Sequence, residues 1–246
     1  MTNLGLEQTF LLLGGGFLGG LIDSIVGGGG LITVPVFLML LGPNAMAIGT
    51  NKVAAVAAQL AALSVYLRKN HVDFSHAGKT LLVTSLGAAM GSRLAPFLPP
   101  SFFKWFLVFV APAVLGVVFT RKLWTQPHHL SPDRKTYPRL ALAGGFIAGV
   151  YDGVAGPGGG TLMFLSLFFL GGLPAVVAMG TGKLANLGSA SLSLVTYGAL
   201  GQVDWRLGTL MAVPISVGAW LGARFSSTRQ HEDQSRQLAR AALVVV

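Results

Sequence analysis

The chain has 246 residues, of which 52% are hydrophobic and only 10% are charged, and its mean hydropathy is +0.67. Soluble domains carry about 25% charged residues, so this composition excludes an ordinary soluble protein. The net charge of +9 does not indicate nucleic-acid binding, because the basic residues lie at the ends of apolar runs, where they set membrane topology.

Neither a metal site nor another cofactor is predicted. The chain contains no cysteine, which excludes disulfides and thiolate ligands, and its histidines lack the spacing of metal ligands. His128 and His129 fall in a polar connector and are predicted to be solvated.

The apolar segments, taken in chain order, predict an all-α polytopic membrane protein. A long glycine-broken stretch covers residues 10–41, and apolar runs follow at 53–67, 74–95 and 102–119. A second glycine-broken stretch at 140–173 precedes runs at 184–200 and 207–225. Residues 237–246 begin a further run that is shorter than the roughly 20 residues of a crossing helix, so we expect an incomplete last helix. The first basic residue is Lys52, which favours mature structure over a signal peptide at the N-terminus.

Each half of the chain repeats the same order of segments. We predict a first repeat at residues 1–122, a basic cytoplasmic connector at 123–138 and a second repeat at 139–246. Internal duplication of this kind is typical of secondary transporters. The first-half positions Gly16, Phe17, Asp23, Gly49, Thr50, Lys52, Tyr66, Val72, Asp73, Gly87, Gly91 and Arg93 match Gly145, Phe146, Asp152, Gly180, Thr181, Lys183, Tyr197, Val203, Asp204, Gly218, Gly222 and Arg224.

The glycine-broken stretches decide whether the repeats are parallel or inverted. The pieces that flank residues 27–30 are expected to be too short to cross alone, so each stretch is either one kinked crossing or a re-entrant hairpin. Irregular backbone at membrane depth must be buried or line a cavity. By the positive-inside rule, the loop after Arg68 and the connector are cytoplasmic, and only the hairpin puts the arginines from Arg224 onward on that side. We therefore predict two inverted-topology repeats, each a glycine-rich re-entrant or broken helix plus three transmembrane helices, with an external N-terminus.

The strongest local motif is Gly-Thr-x-Lys, which occurs once in each half. We predict that Thr50 and Thr181 cap the following helices and that Lys52 and Lys183 lie in their first turns. A cation there opposes the helix macrodipole, whereas a bound anion would gain from the lysine, the free N–H groups and the dipole together. The alternative is that the lysines extend to the lipid headgroups.

The other candidates for substrate binding are glycines and amides. Small residues in the two breaks could expose backbone N–H groups to a substrate or permit a tight turn, and the amides could line a pore. These candidates are Gly28, Gly29, Gly30, Gly158, Gly159, Gly160, Asn51, Gln59 and Asn186.

Asp23 and Asp152 precede the two breaks. An ionisable group in a membrane segment indicates function by default, so they could carry a coupling proton or pair with Lys52 and Lys183, or they could have a structural role at the break.

Two further pairs of residues and a set of four glycines have structural interpretations. Tyr66 and Tyr197 are expected to anchor helix ends at the membrane interface, and Asp73 and Asp204 to cap the next helices. The glycines with four-residue spacing, which permit close helix contacts, are Gly87, Gly91, Gly218 and Gly222.

The breaks and the turns carry a family resemblance. The chain resembles the TauE/SafE sulfite-exporter family at residues 23–35 (Asp-Ser-Ile-Val-Gly-Gly-Gly-Gly-Leu-Ile-Thr-Val-Pro), 49–52 (Gly-Thr-Asn-Lys) and 66–73 (Tyr-Leu-Arg-Lys-Asn-His-Val-Asp). The second half repeats the pattern at 151–160 and 203–205. The resemblance implies a multi-pass carrier of the bacterial inner membrane for sulfite, sulfoacetate or related anions.

We therefore predict a secondary transporter that exports small anions by alternating access, with Lys52 attracting the anion from outside and Lys183 from inside. Protons or the membrane potential could drive it. The expected partners are the anion, coupling protons and the lipid bilayer, and no prediction is made for the oligomeric state. Alternatives are an anion channel or a carrier for small carboxylates. An enzyme is not predicted, because the sequence has no zincin motif, no carboxylates at catalytic spacing and no serine elbow.

Overall fold

The computed structural model describes residues 5–105, 108 and 138–244, with side chains through residue 228 except that of Val26, and the regular secondary structure of the described part is all helical, with no strand. In chain order the helices are α1 (Leu6–Val26), α2 (Gly30–Leu41), α3 (Ala45–Arg68), α4 (Phe74–Leu94), α5 (Pro138–Val154), α6 (Gly159–Leu165), α7 (Ala175–Ala199) and α8 (Trp205–Val244). A 3₁₀ turn at Ala95–Phe97 extends α4, and a π-helical turn at Ser166–Leu170 extends α6. Most of the predicted connector, including His128 and His129, lies outside the described residues, as does most of the run at 102–119.

Each glycine-broken stretch is a hairpin of two helices. α2 folds back along α1, since a Cβ added at Gly15 would lie 2.9 Å from Val36 and one added at Gly19 would lie 2.6 Å from Thr33. α6 returns along α5 in the same way, and Ser166 donates a hydrogen bond to the carbonyl of Ala141 at 2.8 Å. A single kinked crossing would not bring these residues together.

Left-handed backbone makes the sharp reversals possible. Gly27 and Gly28 have φ of 85° and 84°, and Gly156 and Gly158 have φ of 87° and 82°. Side chains with a Cβ disfavour this region, whereas glycine enters it freely. The two breaks also meet each other, because a Cβ on Gly30 would lie 3.0 Å from the backbone of Pro157.

Among the described residues, three helices are long and apolar enough to cross a membrane: Leu6–Ile25, Ala45–Arg68 and Trp205–Thr228. The expectation that both flanks of the first break are too short to cross is therefore wrong for α1, because that helix begins near the N-terminus and runs to the break. α2, with 12 residues, is about 18 Å long and does not reach across. α8 continues past Thr228 to Val244, so residues 237–244, where the sequence predicted the start of a separate last helix, belong to this same helix.

Helices of one half pack mainly against helices of the other. α1 packs on α8, α5 on α4, and both α3 and α7 lie at the centre. α3 and α7 run antiparallel, because Gly49 on α3 lies beside Tyr197 while Gly180 on α7 lies beside Tyr66. α1 and α8 run parallel, with Gly20 against Ile215 and Gly16 against Met211. Each pairing recurs when the halves are exchanged, so the two halves interlock.

Glycines at four-residue spacing allow these helices to touch through their backbones. A Cβ on Gly218 would lie 2.0 Å from the carbonyl oxygen of Phe17, and one on Gly87 would lie 2.4 Å from that of Phe146. Gly91 and Gly222 make equivalent approaches. The prediction that these four glycines form helix contacts is confirmed.

Four residues were predicted to cap helices. The prediction is confirmed for the two aspartates and wrong for the two threonines. Asp73 and Asp204 cap α4 and α8 by accepting hydrogen bonds from the backbone of Ser75 and Leu207. Partial burial acts to raise the pKa of Asp73, but hydrogen bonds from Ser75 and His76 outweigh it and hold the pKa below its ordinary value.

Thr50 and Thr181 are not caps, because both helices begin earlier than predicted. α3 starts at Ala45 and its N-cap is Asn44, whose side chain accepts from the N–H of Ala47 at 3.1 Å. α7 starts at Ala175, after Pro174.

Gly218→Ala is expected to destabilise the protein, because the new methyl group would overlap a backbone carbonyl that cannot move independently. Overpacking of this kind costs about 1–3 kcal/mol, and the measurement is thermal unfolding of purified protein in detergent. The matched control is Gly14→Ala, where a Cβ meets nothing within 4 Å. Equal unfolding midpoints for the two variants would contradict the close α1–α8 contact.

Candidate functional site

Two buried ion pairs join the halves of the protein. The Nζ atom of Lys52 lies 2.9 Å from Oδ2 of Asp152, and that of Lys183 lies 2.5 Å from Oδ2 of Asp23. Each pair therefore joins the lysine of one repeat to the aspartate of the other. Lys52 is 1% exposed and Lys183 is 3% exposed, so neither side chain reaches the headgroup region.

The lysines lie deeper in their helices than the sequence predicted. Lys52 is about two turns inside α3 and Lys183 about two turns inside α7, so neither opposes a macrodipole in a first turn. Instead, each lysine donates at 2.6 Å to the main-chain carbonyl of its partner aspartate. These carbonyls lie in the last turns of α1 and α5, where the macrodipole favours a cation.

Two tyrosines donate hydrogen bonds to further carbonyls at the same helix ends. The hydroxyl of Tyr66 donates to the carbonyl of Ser24 at 2.9 Å, and that of Tyr197 donates to the carbonyl of Gly153 at 2.7 Å. Both side chains are fully buried, so the expectation of interfacial anchoring is wrong. A broken helix leaves its last carbonyls without intrahelical partners, and the buried tyrosines satisfy two of them.

The two aspartates differ in their surroundings. The carboxylate of Asp23 accepts hydrogen bonds from the N–H of Gly29 at 3.0 Å and from Gln59 at 2.9 Å, besides its contact with Lys183. The Gly29 N–H, predicted as a possible substrate contact, is thus bonded to an acidic side chain of the chain itself.

Asp152 has a smaller set of partners. Besides the lysine, its carboxylate accepts a hydrogen bond from Ser189 at 2.6 Å. Gly159 allows the break to pass close to it, because a Cβ there would lie 2.5 Å from Oδ1 of Asp152.

The Gly-Thr part of each motif holds a turn of the opposite half. Oγ1 of Thr50 accepts from the N–H of Asp204, and Oγ1 of Thr181 accepts from the N–H of Asp73, both at 2.9 Å. The preceding glycines let those turns approach, since a Cβ on Gly49 would lie 2.0 Å from the carbonyl oxygen of Gln202. The motif therefore makes contacts between the repeats at both its threonine and its lysine.

A small polar cavity lies beside the breaks. Its volume is about 30 Å³, room for about two water molecules. The lining side chains that carry polar or charged groups are Asp23, Thr33, Asn51, Lys52, Gln59, Asp152 and Asn186.

The cavity brings together most of the residues that were proposed from the sequence. Besides the side chains above, Gly28, Gly29, Gly30, Gly158 and Gly160 contribute to its wall. Of the remaining candidates, Thr50, Thr181 and Lys183 make the inter-repeat contacts described above, and Gly159 lies against Asp152 of its own half. Among the described residues, no group of three or more histidine, aspartate or glutamate side chains could hold a metal ion.

Sequence reasoning missed two residues of the site. Ser189 contacts Asp152, and Thr33 donates to Oδ1 of Asn51 at 2.6 Å. Ser189 corresponds in the repeat to Ala58, so a search for polar residues that recur in both halves does not select it. Thr33 lies within the first glycine-broken stretch, where the apolar residues around it gave no reason to select it.

The two ion pairs lie at different depths. Because Gly180 on α7 lies beside Tyr66 on antiparallel α3, a rise of ~1.5 Å per residue separates the α-carbons of Lys52 and Lys183 by roughly 16 Å along the helix axes, and the long side chains bring the two ion pairs closer together than that. The site is therefore two charge pairs stacked along the direction of the central helices.

Comparisons with known proteins agree over almost the whole chain. Residues 12–246 match the family model described as "Sulfite exporter TauE/SafE". A "Probable membrane transporter protein" of Haemophilus influenzae is 35% identical, covering 92% of this chain and 88% of that protein. "Probable membrane transporter protein YfcA" of Escherichia coli K12 is 31% identical over 93% and 82% of the two chains. "Probable membrane transporter protein YunE" of Bacillus subtilis is 24% identical over 94% and 92%. No solved structure matches the chain.

Lys183→Met is expected to destabilise the protein strongly, because it leaves the buried carboxylate of Asp23 without its cation. Breaking a buried pair from one side costs about 3–5 kcal/mol, whereas replacing both partners by uncharged groups costs far less. Unfolding in detergent of the wild type, Lys183→Met, Asp23→Asn and the double variant forms a double-mutant cycle, with Lys69→Met as the exposed control. Additive losses in the double variant would mean that the two charges do not interact.

Proposed function

Because the chain belongs to the sulfite exporter TauE/SafE family, whose relatives are named as membrane transporters, we propose that it carries small anions across the bacterial cytoplasmic membrane. Sulfur-containing anions such as sulfite or sulfoacetate are the proposed substrates, and export is the proposed direction. The observation that carries the proposal is the pair of buried lysines, each placed between the two halves and next to glycine-rich breaks.

The chemistry of the cavity supports a small anion as the substrate. Lys52 supplies a cation, and the amides of Asn51 and Asn186 supply hydrogen-bond donors, as a compact oxyanion requires. Intramembrane charges that face a cavity mark substrate and ion pathways. The volume near 30 Å³ fits a closed form of the carrier, in which the site would widen when one side opens.

We further propose that the halves are inverted-topology repeats that move against each other in alternating access. The antiparallel course of α3 and α7 supports inversion, since these helices are equivalent in the repeat. The charge pattern supports an orientation: Lys69, after α3, donates to Thr228 of α8 at 2.8 Å, so the basic ends of both helices lie together. By the positive-inside rule that end is cytoplasmic.

Stacked ion pairs suit this mechanism. In inverted-repeat transporters, substrates bind near the midplane at the repeat interface, where helices are broken. The Lys183–Asp23 and Lys52–Asp152 pairs each cross that interface at a different depth. Rearranging one pair at a time would open the site to one side while the other pair keeps the halves together.

Cysteine labelling tests the orientation directly, because the natural chain has no cysteine. Thr228→Cys is expected to react with a membrane-impermeant maleimide from the cytoplasmic side and Leu200→Cys from the external side. Both positions are exposed, and they lie at opposite ends of the central helices. Labelling of both from one side would contradict the inverted arrangement.

Transport in proteoliposomes tests the role of Lys52. Replacing a charge-assisted contact with a neutral one costs about 1.5–3 kcal/mol, so Lys52→Gln is expected to slow uptake of labelled sulfite or sulfoacetate by about 10- to 100-fold. Lys69→Gln, at an exposed lysine, is the control and should transport at the wild-type rate. The double variant Lys52→Gln/Asp152→Asn removes the charge without leaving an unpaired partner, and it should also be slow.

Three results would overturn parts of this proposal. Normal sulfite and sulfoacetate transport by the folded Lys52→Gln protein would remove the anion site. Flux that neither saturates nor accumulates substrate against a gradient would indicate a channel. Thermal stabilisation by small carboxylates, with none from sulfite or sulfoacetate, would change the substrate class.

A further inference from the structure

Among the described residues that line the cavity, Lys52 is the one cation, and its charge is already neutralised. Lys52 is already paired with Asp152 at 2.9 Å, and Lys183 with Asp23 at 2.5 Å. Both aspartates line the cavity wall together with Lys52. The four groups sum to zero charge, so an added anion would leave a net negative charge in a buried site. Such a charge is strongly unfavourable unless a partner or a proton neutralises it.

The two pairs are not equally able to separate. The carboxylate of Asp23 is held by Lys183, by Gln59 and by the backbone N–H of Gly29. For Asp152, the described contacts of the carboxylate are Lys52 and Ser189. Lys52 also forms part of the cavity wall. The Lys52–Asp152 pair is therefore the one that borders the cavity on both sides and has fewer contacts holding it closed.

We infer that the anion binds by taking the place of the Asp152 carboxylate on Lys52, and that Asp152 takes up one proton as it is released. This inference rests on the proposed anion site. The anion then neutralises Lys52, and the protonated carboxyl is uncharged. It keeps a contact with Ser189 and gains an O–H that can donate to the anion. The Lys183–Asp23 pair stays intact and continues to join the halves.

The groups that face Asp152 are consistent with protonation at this position. They are Lys52 from α3, the hydroxyl of Tyr197 from α7, Tyr151 on its own helix and Asp23 across the cavity. The charge of Asp23 is itself neutralised by Lys183, so once the anion occupies Lys52, the negative charge nearest to Asp152 is the anion, which favours an uncharged carboxyl beside it.

The consequence is a fixed coupling. One proton accompanies each single negative charge in the same direction, so transport of a monovalent anion moves no net charge across the membrane. The anion and the proton are then carried by the same site. The roles of the two repeats also differ, since the first supplies the lysine that binds the anion and the second supplies the carboxyl that binds the proton.

Proton counting by calorimetry tests the inference. Purified protein is titrated with sulfite, at a pH where sulfite is almost entirely bisulfite, in buffers of different ionisation enthalpy. The dependence of the observed heat on that enthalpy gives the number of protons taken up per anion. Wild type is expected to take up about one proton more than Asp152→Asn, and the ionisation of the ligand cancels in this difference. Glu7→Gln, which removes an exposed carboxylate outside the cavity, is expected to keep the wild-type number.

Wild-type proteoliposomes give a second test that does not depend on any variant folding. An imposed proton gradient should drive accumulation of labelled bisulfite, and an imposed membrane potential should leave its rate unchanged. Binding with equal proton uptake in wild type and Asp152→Asn, or uptake driven by potential without a proton gradient, would overturn the inference and leave the anion site standing. A wild-type protein that neither binds nor transports sulfite or sulfoacetate would overturn the proposed function itself.

Discussion

A buried charge must be paired, and that constraint organises this protein. Two lysines and two aspartates are buried among the helices, and each lysine pairs with the aspartate of the other half of the chain. An isolated buried charge would cost several kcal/mol. The buried charges of each half are therefore stabilised only when they pair with those of the other half. The same lysines also bind helix ends, where the main-chain carbonyls of Asp23 and Asp152 need partners. Each lysine therefore neutralises a buried carboxylate and also donates a hydrogen bond to a main-chain carbonyl at a helix end.

Close backbone contacts make these pairs possible. The lysine side chain is long but finite, so α7 must lie near the end of α1, and α3 near the end of α5. Glycines such as Gly49 and Gly218 remove the side chains that would separate the helices. Because hydrocarbon offers no hydrophobic force between helices, small residues and polar contacts have to supply the association. The glycines and the buried polar pairs therefore act together to hold the helices in contact.

Much of the architecture could be predicted from the sequence, because it depends on local signals. Apolar runs, the duplicated order of segments and the caps Asp73 and Asp204 are readable without tertiary information. The start of α3 was missed although Gly42-Pro43-Asn44 is a turn that ends in a good N-cap residue, because the helix start was assigned to the Gly-Thr-x-Lys motif. The burial of Tyr66 and Tyr197 was missed because their partners are carbonyls at the end of a helix distant in sequence. That the lysines pair across the repeats could not be predicted, since matching positions show which residues are equivalent and not which ones touch.

The reciprocal pairing has a consequence for how the protein is made. The chain emerges from the ribosome with its N-terminus first, so Asp23 and Lys52 are synthesised long before Lys183 and Asp152. Until α5 and α7 enter the membrane, the first half holds an acid and a base whose partners do not yet exist. The nascent first repeat must therefore keep these groups in contact with water, with the insertion machinery or with each other. Because each partner lies in the later half, completion of the whole chain is a condition for burying the charges of the first half.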